Sequence, residues 1–288
     1  MLKAVVIAEF CVTIAFCLTT ITVLVLSLRT KPVGTVWKQC PPLCLVLILN
    51  GIVAAISTCF TVQWILFDFG CIKNVAENTF FLSVIVRIFM IIQHFNSCCE
   101  MGLFAQRIFY VLYPLANQKK FYVFATSILS VMSLAGCILP MYAVVVSVKA
   151  SGRPVPEGCL TFNCMSSDYA ASFYGVSVRL LQGILATSIE TTTTGLGVVM
   201  LYLLRKLGKN HTSNLENQKG SFAQYVFFTR ICYQIIPFSL DGILSMTAHI
   251  SIGYYIGPYG VLGAAMAFTT QTLAYYSLLK KNKTSTVK

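Results

Sequence analysis

Apolar residues run through this chain in seven long blocks, and polar residues are confined to the short stretches between them. The blocks cover about Ala4–Leu28, Pro42–Phe67, Phe81–Tyr113, Phe121–Val148, Val178–Leu204, Ala223–Ile252 and Pro258–Leu279. Each reaches the roughly 20 residues that an α-helix needs to cross about 30 Å of hydrocarbon. The pattern predicts an all-α membrane protein, a seven-transmembrane helix bundle over residues 1–279 with a short basic tail at 280–288. Composition agrees, with 57% hydrophobic and only 10% charged residues, where soluble domains carry about 25% charged.

The net charge of +12 suggests a nucleic-acid partner until the charges are placed. Fourteen of the 21 basic residues fall in four segments: Arg29, Lys31 and Lys38; Arg107, Lys119 and Lys120; Arg205, Lys206, Lys209 and Lys219; Lys280, Lys281, Lys283 and Lys288. Those segments contain one acid, Glu216. The alternate connections balance Lys3, Lys73, Lys149 and Arg153 against Asp68, Glu77, Glu157 and Asp168. An excess of Lys and Arg in every second loop marks those loops as cytoplasmic. The N-terminus is therefore expected outside and the C-terminus inside. The basic loops face membrane lipid and an acidic partner, not nucleic acid.

The first block is too long for a signal-peptide core and is followed at once by Arg29, so it reads as a retained signal-anchor helix with no extracellular domain before it. Most of the 12 cysteines lie within spans, where a thiol is a small apolar packing group. Cys40 lies on the cytoplasmic side, as a free thiol or a palmitoylation site. Cys71, Cys159 and Cys164 face the oxidising side. A bridge from Cys71 to Cys159 or Cys164 would pin the longest outer loop over the bundle, and a local Cys159–Cys164 bridge is the competing arrangement.

At the inner end of the third span the chain reads Gln106-Arg107-Ile108-Phe109-Tyr110-Val111-Leu112-Tyr113-Pro114-Leu115. An Arg at this place, followed seven residues later by Pro-Leu, resembles the rhodopsin-like G-protein-coupled receptor pattern. Gln106 replaces the acid, and Ile108 the aromatic residue. The resemblance implies that Gln106, Arg107, Tyr110 and Pro114 form a G-protein-coupling surface. Pro237 in the sixth span lacks an N–H, which opens the helical ladder and makes it the expected activation hinge. The seventh span lacks Asn-Pro-x-x-Tyr, and it has no Lys to hold retinal.

A short N-terminus, the altered Arg motif, Gly158-Cys-Leu-Thr-Phe-Asn-Cys164 and Ile256-Gly257-Pro258 together resemble the nematode serpentine chemoreceptors, class BC in particular. What the resemblance implies is a chemosensory receptor for an odorant, tastant or pheromone. It would sit in the plasma membrane of a sensory cilium and signal through a heterotrimeric G protein in olfaction or related sensory perception.

Ionisable groups inside spans are costly and mark functional candidates. They are Glu9, Arg87, His94, Glu100, Arg179, Glu190, Arg230, Asp241 and His249. Glu100, Glu190 and Asp241 fall near the midplane of three helices that adjoin in a receptor bundle. Two readings stand open: a cavity that favours a cationic ligand, or acids bonded to neighbouring hydroxyls as internal glue. Arg230, at a depth similar to that of Arg107, would repel it and leave a loosely held resting state unless Glu100 or a lipid phosphate intervenes. A small-molecule pocket is expected among the outer halves of the third, fifth, sixth and seventh spans. It would draw on Arg87, Met90, His94, Arg179, Gln182, Glu190, Asp241, Ser245, His249 and Tyr259.

Rival classes are weaker. Three histidines, with no His-Glu-x-x-His, no Asp-His-His-Cys and no Gly-x-Ser-x-Gly, predict no enzyme, no resident metal and no cofactor. A channel or transporter that moves ions past the in-membrane carboxylates is the alternative. Seven spans do not divide into the paired repeats that transporters usually show.

Overall fold

The computed structural model describes residues 2–113, 138, 155, 172–173, 176–207, 214–248 and 259–285. The expected fourth span, Phe121–Val148, lies outside these apart from Ile138. Apart from short connections, the described chain is helical, with one antiparallel pairing of two-residue strands, β1 (Ser172–Phe173) and β2 (Val176–Ser177). The helices are α1 (Leu2–Thr30), α2 (Val33–Gln39), α3 (Pro41–Asp68), α4 (Ala76–Leu112), α5 (Val178–Leu207), α6 (Asn214–Arg230), α7 (Ile236–Ala248) and α8 (Tyr259–Ser285). A five-residue π turn, Ile231–Ile235, joins α6 to α7 without a break. Among the described residues, Lys3–Thr30, Pro41–Asp68 and Phe80–Leu112 are long and apolar enough to cross a membrane. Those three helices make this a membrane protein.

The packing has the polarity that a lipid solvent imposes. On α1 the buried positions besides Glu9 are Val6, Phe10, Thr13, Cys17, Thr20, Leu24 and Ser27, spaced alternately four and three apart as one helical face. Three hydroxyls and a thiol sit on that inner face, while Val5, Val12, Leu18, Val25 and Leu26 point outward. Lipid tails are as apolar as leucine, so nothing drives leucine inward. Close packing of small residues and interhelical hydrogen bonds hold the helices together instead. Cys17, Ala54 and Ala265 accordingly let α1, α3 and α8 approach one another. The Thr20 and Thr269 hydroxyls meet at 2.8 Å, and Thr269 also donates to the Phe16 carbonyl at 2.9 Å.

Two regions differ from the sequence expectation. The connection between α1 and α3 contains α2, because Val36 packs into a core cluster with Leu24, Leu47, Leu103 and Phe222. The sixth helix starts at Asn214, inside what reads as a polar loop, and Phe222 anchors it against Tyr275 in an edge-to-face contact.

Local chemistry sets the ends. Pro41 and Pro42 start α3 with φ already helical. Gly70, at φ +75°, stops it: the Gly70 N–H bonds to Phe67 and the Cys71 N–H to Leu66, at 3.0 and 2.9 Å. That left-handed position is open to glycine at no steric cost. Further along, the Ile236 N–H reaches five residues back to the Ile231 carbonyl, just before Pro237 removes the next donor. Gly263 of α8 lies directly against the Tyr233 carbonyl of this turn, with no room for a Cβ.

Candidate functional site

The polar residues at mid-bundle converge on one arginine. Arg230 ends α6 immediately before the π turn and is almost wholly buried, its side chain 2% exposed. Its Nη1 pairs with Glu100 Oε2 of α4. Its Nη2 lies 2.5 Å from Glu190 Oε2 of α5, and Nε donates to the same oxygen at 3.0 Å. Nη2 also donates to the Ser97 hydroxyl at 3.0 Å. Three helices are thereby tied by one guanidinium. Its planar fork of five donors suits this task as a lysine ammonium would not.

A chain of amides carries the layer across the rest of the bundle. Gln271 of α8 donates from Nε2 to Glu100 Oε1 at 3.1 Å and to the Thr229 hydroxyl at 3.4 Å. Asn50 of α3 donates to Gln271 Oε1 at 2.9 Å, and Asn96 of α4 donates to Asn50 Oδ1 at 3.2 Å. Buried charge persists only when paired and hydrogen-bonded, which this layer achieves for Glu100 and Arg230. Glu100 therefore does intervene between the basic residues of α4 and α6. It lies seven residues before Arg107 on α4, about 10 Å along the axis. Arg230 is held at that level and not at the level of Arg107.

The inner end of α4 is built differently. Arg107 is 3% exposed. Its Nη2 donates to Cys40 Sγ at 3.6 Å, its guanidinium lies 5.4 Å from the Tyr110 ring centre, and its Nε meets no acceptor among the described residues. The Cys40 thiol in turn donates to Gln106 Oε1 at 3.0 Å. A thiol and a ring thus stand where an acid would hold such an arginine, which makes the grip on Arg107 weak. Pro114 lies outside the described residues.

The expected pocket residues come together only in part. Glu190 belongs to the clasp, and half-buried His94, one turn from Ser97 on α4, lies within electrostatic range of it. Met90 packs into the outer apolar clusters around Phe60 and Phe89, and Tyr259 is the half-buried first residue of α8. Arg87, Arg179, Gln182, Asp241 and Ser245 have described backbone positions on α4, α5 and α7, but their side chains, like the whole of His249, lie outside the described set. Pro237 stands second in α7, directly above the π turn.

At the outer end Cys71 is an exposed free thiol, and Cys159 and Cys164 lie outside the described residues. Three residues on, Asn74 holds the backbone of Val155. Its side-chain N–H donates to the Val155 carbonyl at 2.9 Å and its Oδ1 accepts the Val155 N–H at 2.8 Å. Val155 is then buried among Val6, Phe60 and Trp64. Neither Asn74 nor Asn50 stood out in the sequence, because a neutral amide carries no signal until its partner is known. Glu9 is buried in α1 with neither carboxylate oxygen hydrogen-bonded among the described residues. Compared with known proteins, the chain matches no family model and no curated protein.

Proposed function

We propose that the chain is a seven-transmembrane chemosensory receptor, with its N-terminus outside, that binds a small molecule and activates a heterotrimeric G protein at the cytoplasmic face. The observation that carries this reading is the Glu100–Arg230–Glu190 clasp. It ties α4, α5 and α6 at a single point, immediately below a π turn and Pro237. A helix interrupted by a π turn and a proline has a built-in pivot. A buried ion cluster just beneath that pivot has two discrete states, closed and open, as a switch requires. Arg107, gripped among the described residues by a thiol and a ring, is the residue that an entering G-protein segment would recruit once α6 swings out. The seven-helix topology, the plasma-membrane address and the ciliary setting follow from the charge alternation and the family resemblance.

The test is a G-protein activation assay in cells, with surface expression matched between variants. Glu100→Gln takes a full charge from the clasp and is expected to raise basal signalling several-fold. Adding Arg107→Ala to it should return the signal to background. Equal basal signalling in the parent and in Glu100→Gln would refute the switch. A ligand-evoked current that persists without G protein would favour the ion-translocating reading of the in-membrane carboxylates.

A further inference from the structure

The clasp and the amide chain beside it are unbalanced in two ways, one of charge and one of donors. Two carboxylates share one guanidinium, so the cluster holds one more negative than positive charge when all three groups are ionised. The layer is also short of donors. Glu190 Oε1 receives only the Ser97 hydroxyl among the described residues, at a long 3.4 Å. Asn96 Oδ1, on a residue 2% exposed in the same layer, receives no donor among the described residues. A layer this deep in a bundle does not leave charge and acceptors unmet without cost.

The three charged groups are not equally open. The side chains of Glu100 and Arg230 are each 2% exposed, whereas that of Glu190 is 38% exposed. Glu190 is therefore where a ligand can arrive, with His94 close by.

We infer that Glu190 is the recognition carboxylate for a protonated primary or secondary amine. Such a ligand brings both things the layer lacks, one positive charge and N–H donors. A metal ion brings no donors, and a neutral alcohol brings no charge. When an ammonium takes Glu190, Arg230 is left with Glu100 alone, a balanced pair. The tie between α5 and α6 is released while the α4 tie remains. This deepens the receptor reading and rests on it: amine binding loosens α6 from one side and lowers the cost of its outward swing.

The experiment measures binding without any G protein, so its outcome is separable from that of the receptor reading. The full chain in lipid nanodiscs is melted with and without n-butylamine or benzylamine. The matching alcohols and sodium chloride are run at equal ionic strength, and the series is repeated at acidic and alkaline pH. The amines should raise Tm by several degrees in the parent, the alcohols and sodium should not, and Glu190→Gln should lose the amine shift. Glu190→Gln should melt no earlier than the parent when no amine is present, because it removes the excess charge.

An equal amine shift in Glu190→Gln overturns the inference, as does an equal shift from the alcohols or from sodium. Absence of any amine shift in the parent does so too. If acidification alone reproduces the shift and amines add nothing, the missing cation is a proton and the amine assignment falls. Should Glu190→Gln fail to fold, Glu190→Asp decides. Drawing the carboxylate back by one methylene should weaken the amine titration by about tenfold, a loss of some 1.4 kcal/mol. An unchanged midpoint would then refute the assignment. Binding with a silent G-protein assay would retain the site and sink the receptor reading.

Discussion

Replacing Arg230 is the sharpest test of the central cluster. Arg230→Gln leaves Glu100 and Glu190 facing one another with no counter-charge, Glu100 in an almost fully closed site. Removing one partner of a buried ion pair costs about 3–5 kcal/mol, most of it from the charge left behind. The loss corresponds to a fall in Tm on the order of 10 °C for a chain of this size. Glu100→Gln combined with Arg230→Gln should recover much of that loss, because the remaining carboxylate, Glu190, is the less buried of the two. The assay is thermal denaturation of detergent-solubilised protein followed by size-exclusion fluorescence. Stability of the two single variants and the double variant gives a cycle, and their coupling should exceed roughly 1 kcal/mol. If Arg230→Gln shifts stability by no more than about 0.5 kcal/mol, as an exposed charge would, the cluster is not buried and paired as described. Additive effects in the double variant would refute the pairing itself.

Two further substitutions test the elements that hold the clasp in place. Gly263→Val must push α8 away from the Tyr233 carbonyl and should cost about 1–3 kcal/mol as an overpacking change, read as a fall in Tm. An unchanged Tm would mean that α8 does not seat against the π turn. Asn74→Ala removes both bonds to the Val155 backbone and should cost on the order of 1–3 kcal/mol while leaving the membrane core intact. Faster cleavage of the outer loop by external protease is the expected readout, and cleavage at the parental rate would contradict the pin.

Much of the helix plan was legible because length and apolarity are properties of contiguous residues. The block at Ala4–Leu28 is helix Leu2–Thr30, and that at Pro42–Phe67 is helix Pro41–Asp68. The loop at 29–41 was misread because its apolar residues Val33, Val36 and Trp37 are too few to stand out as a helical stripe, and of the three only Val36 is buried. It forms a helix only because the inner core offers it a place. At the site, the in-span charges Glu100, Glu190 and Arg230 were visible as costly residues, but the amides that complete the layer were not.

The amino-acid order by itself thus determined that the chain lives in lipid, where most of the described long helices run and which loops are basic. Each of these is set by local free energy, the transfer of one segment at a time from water to hydrocarbon. Only the tertiary structure decided the partners. Glu100 and Arg230 stand 130 residues apart, and Asn50 and Gln271 stand 221 apart. No periodicity within a helix encodes which neighbour it will meet. Arg230 and Arg107 looked like rivals at one depth. Once the bundle is assembled, Arg230 closes on two carboxylates and Arg107 rests on a cysteine and a tyrosine. Burial in a medium without water leaves each charge only the groups that packing brings within reach.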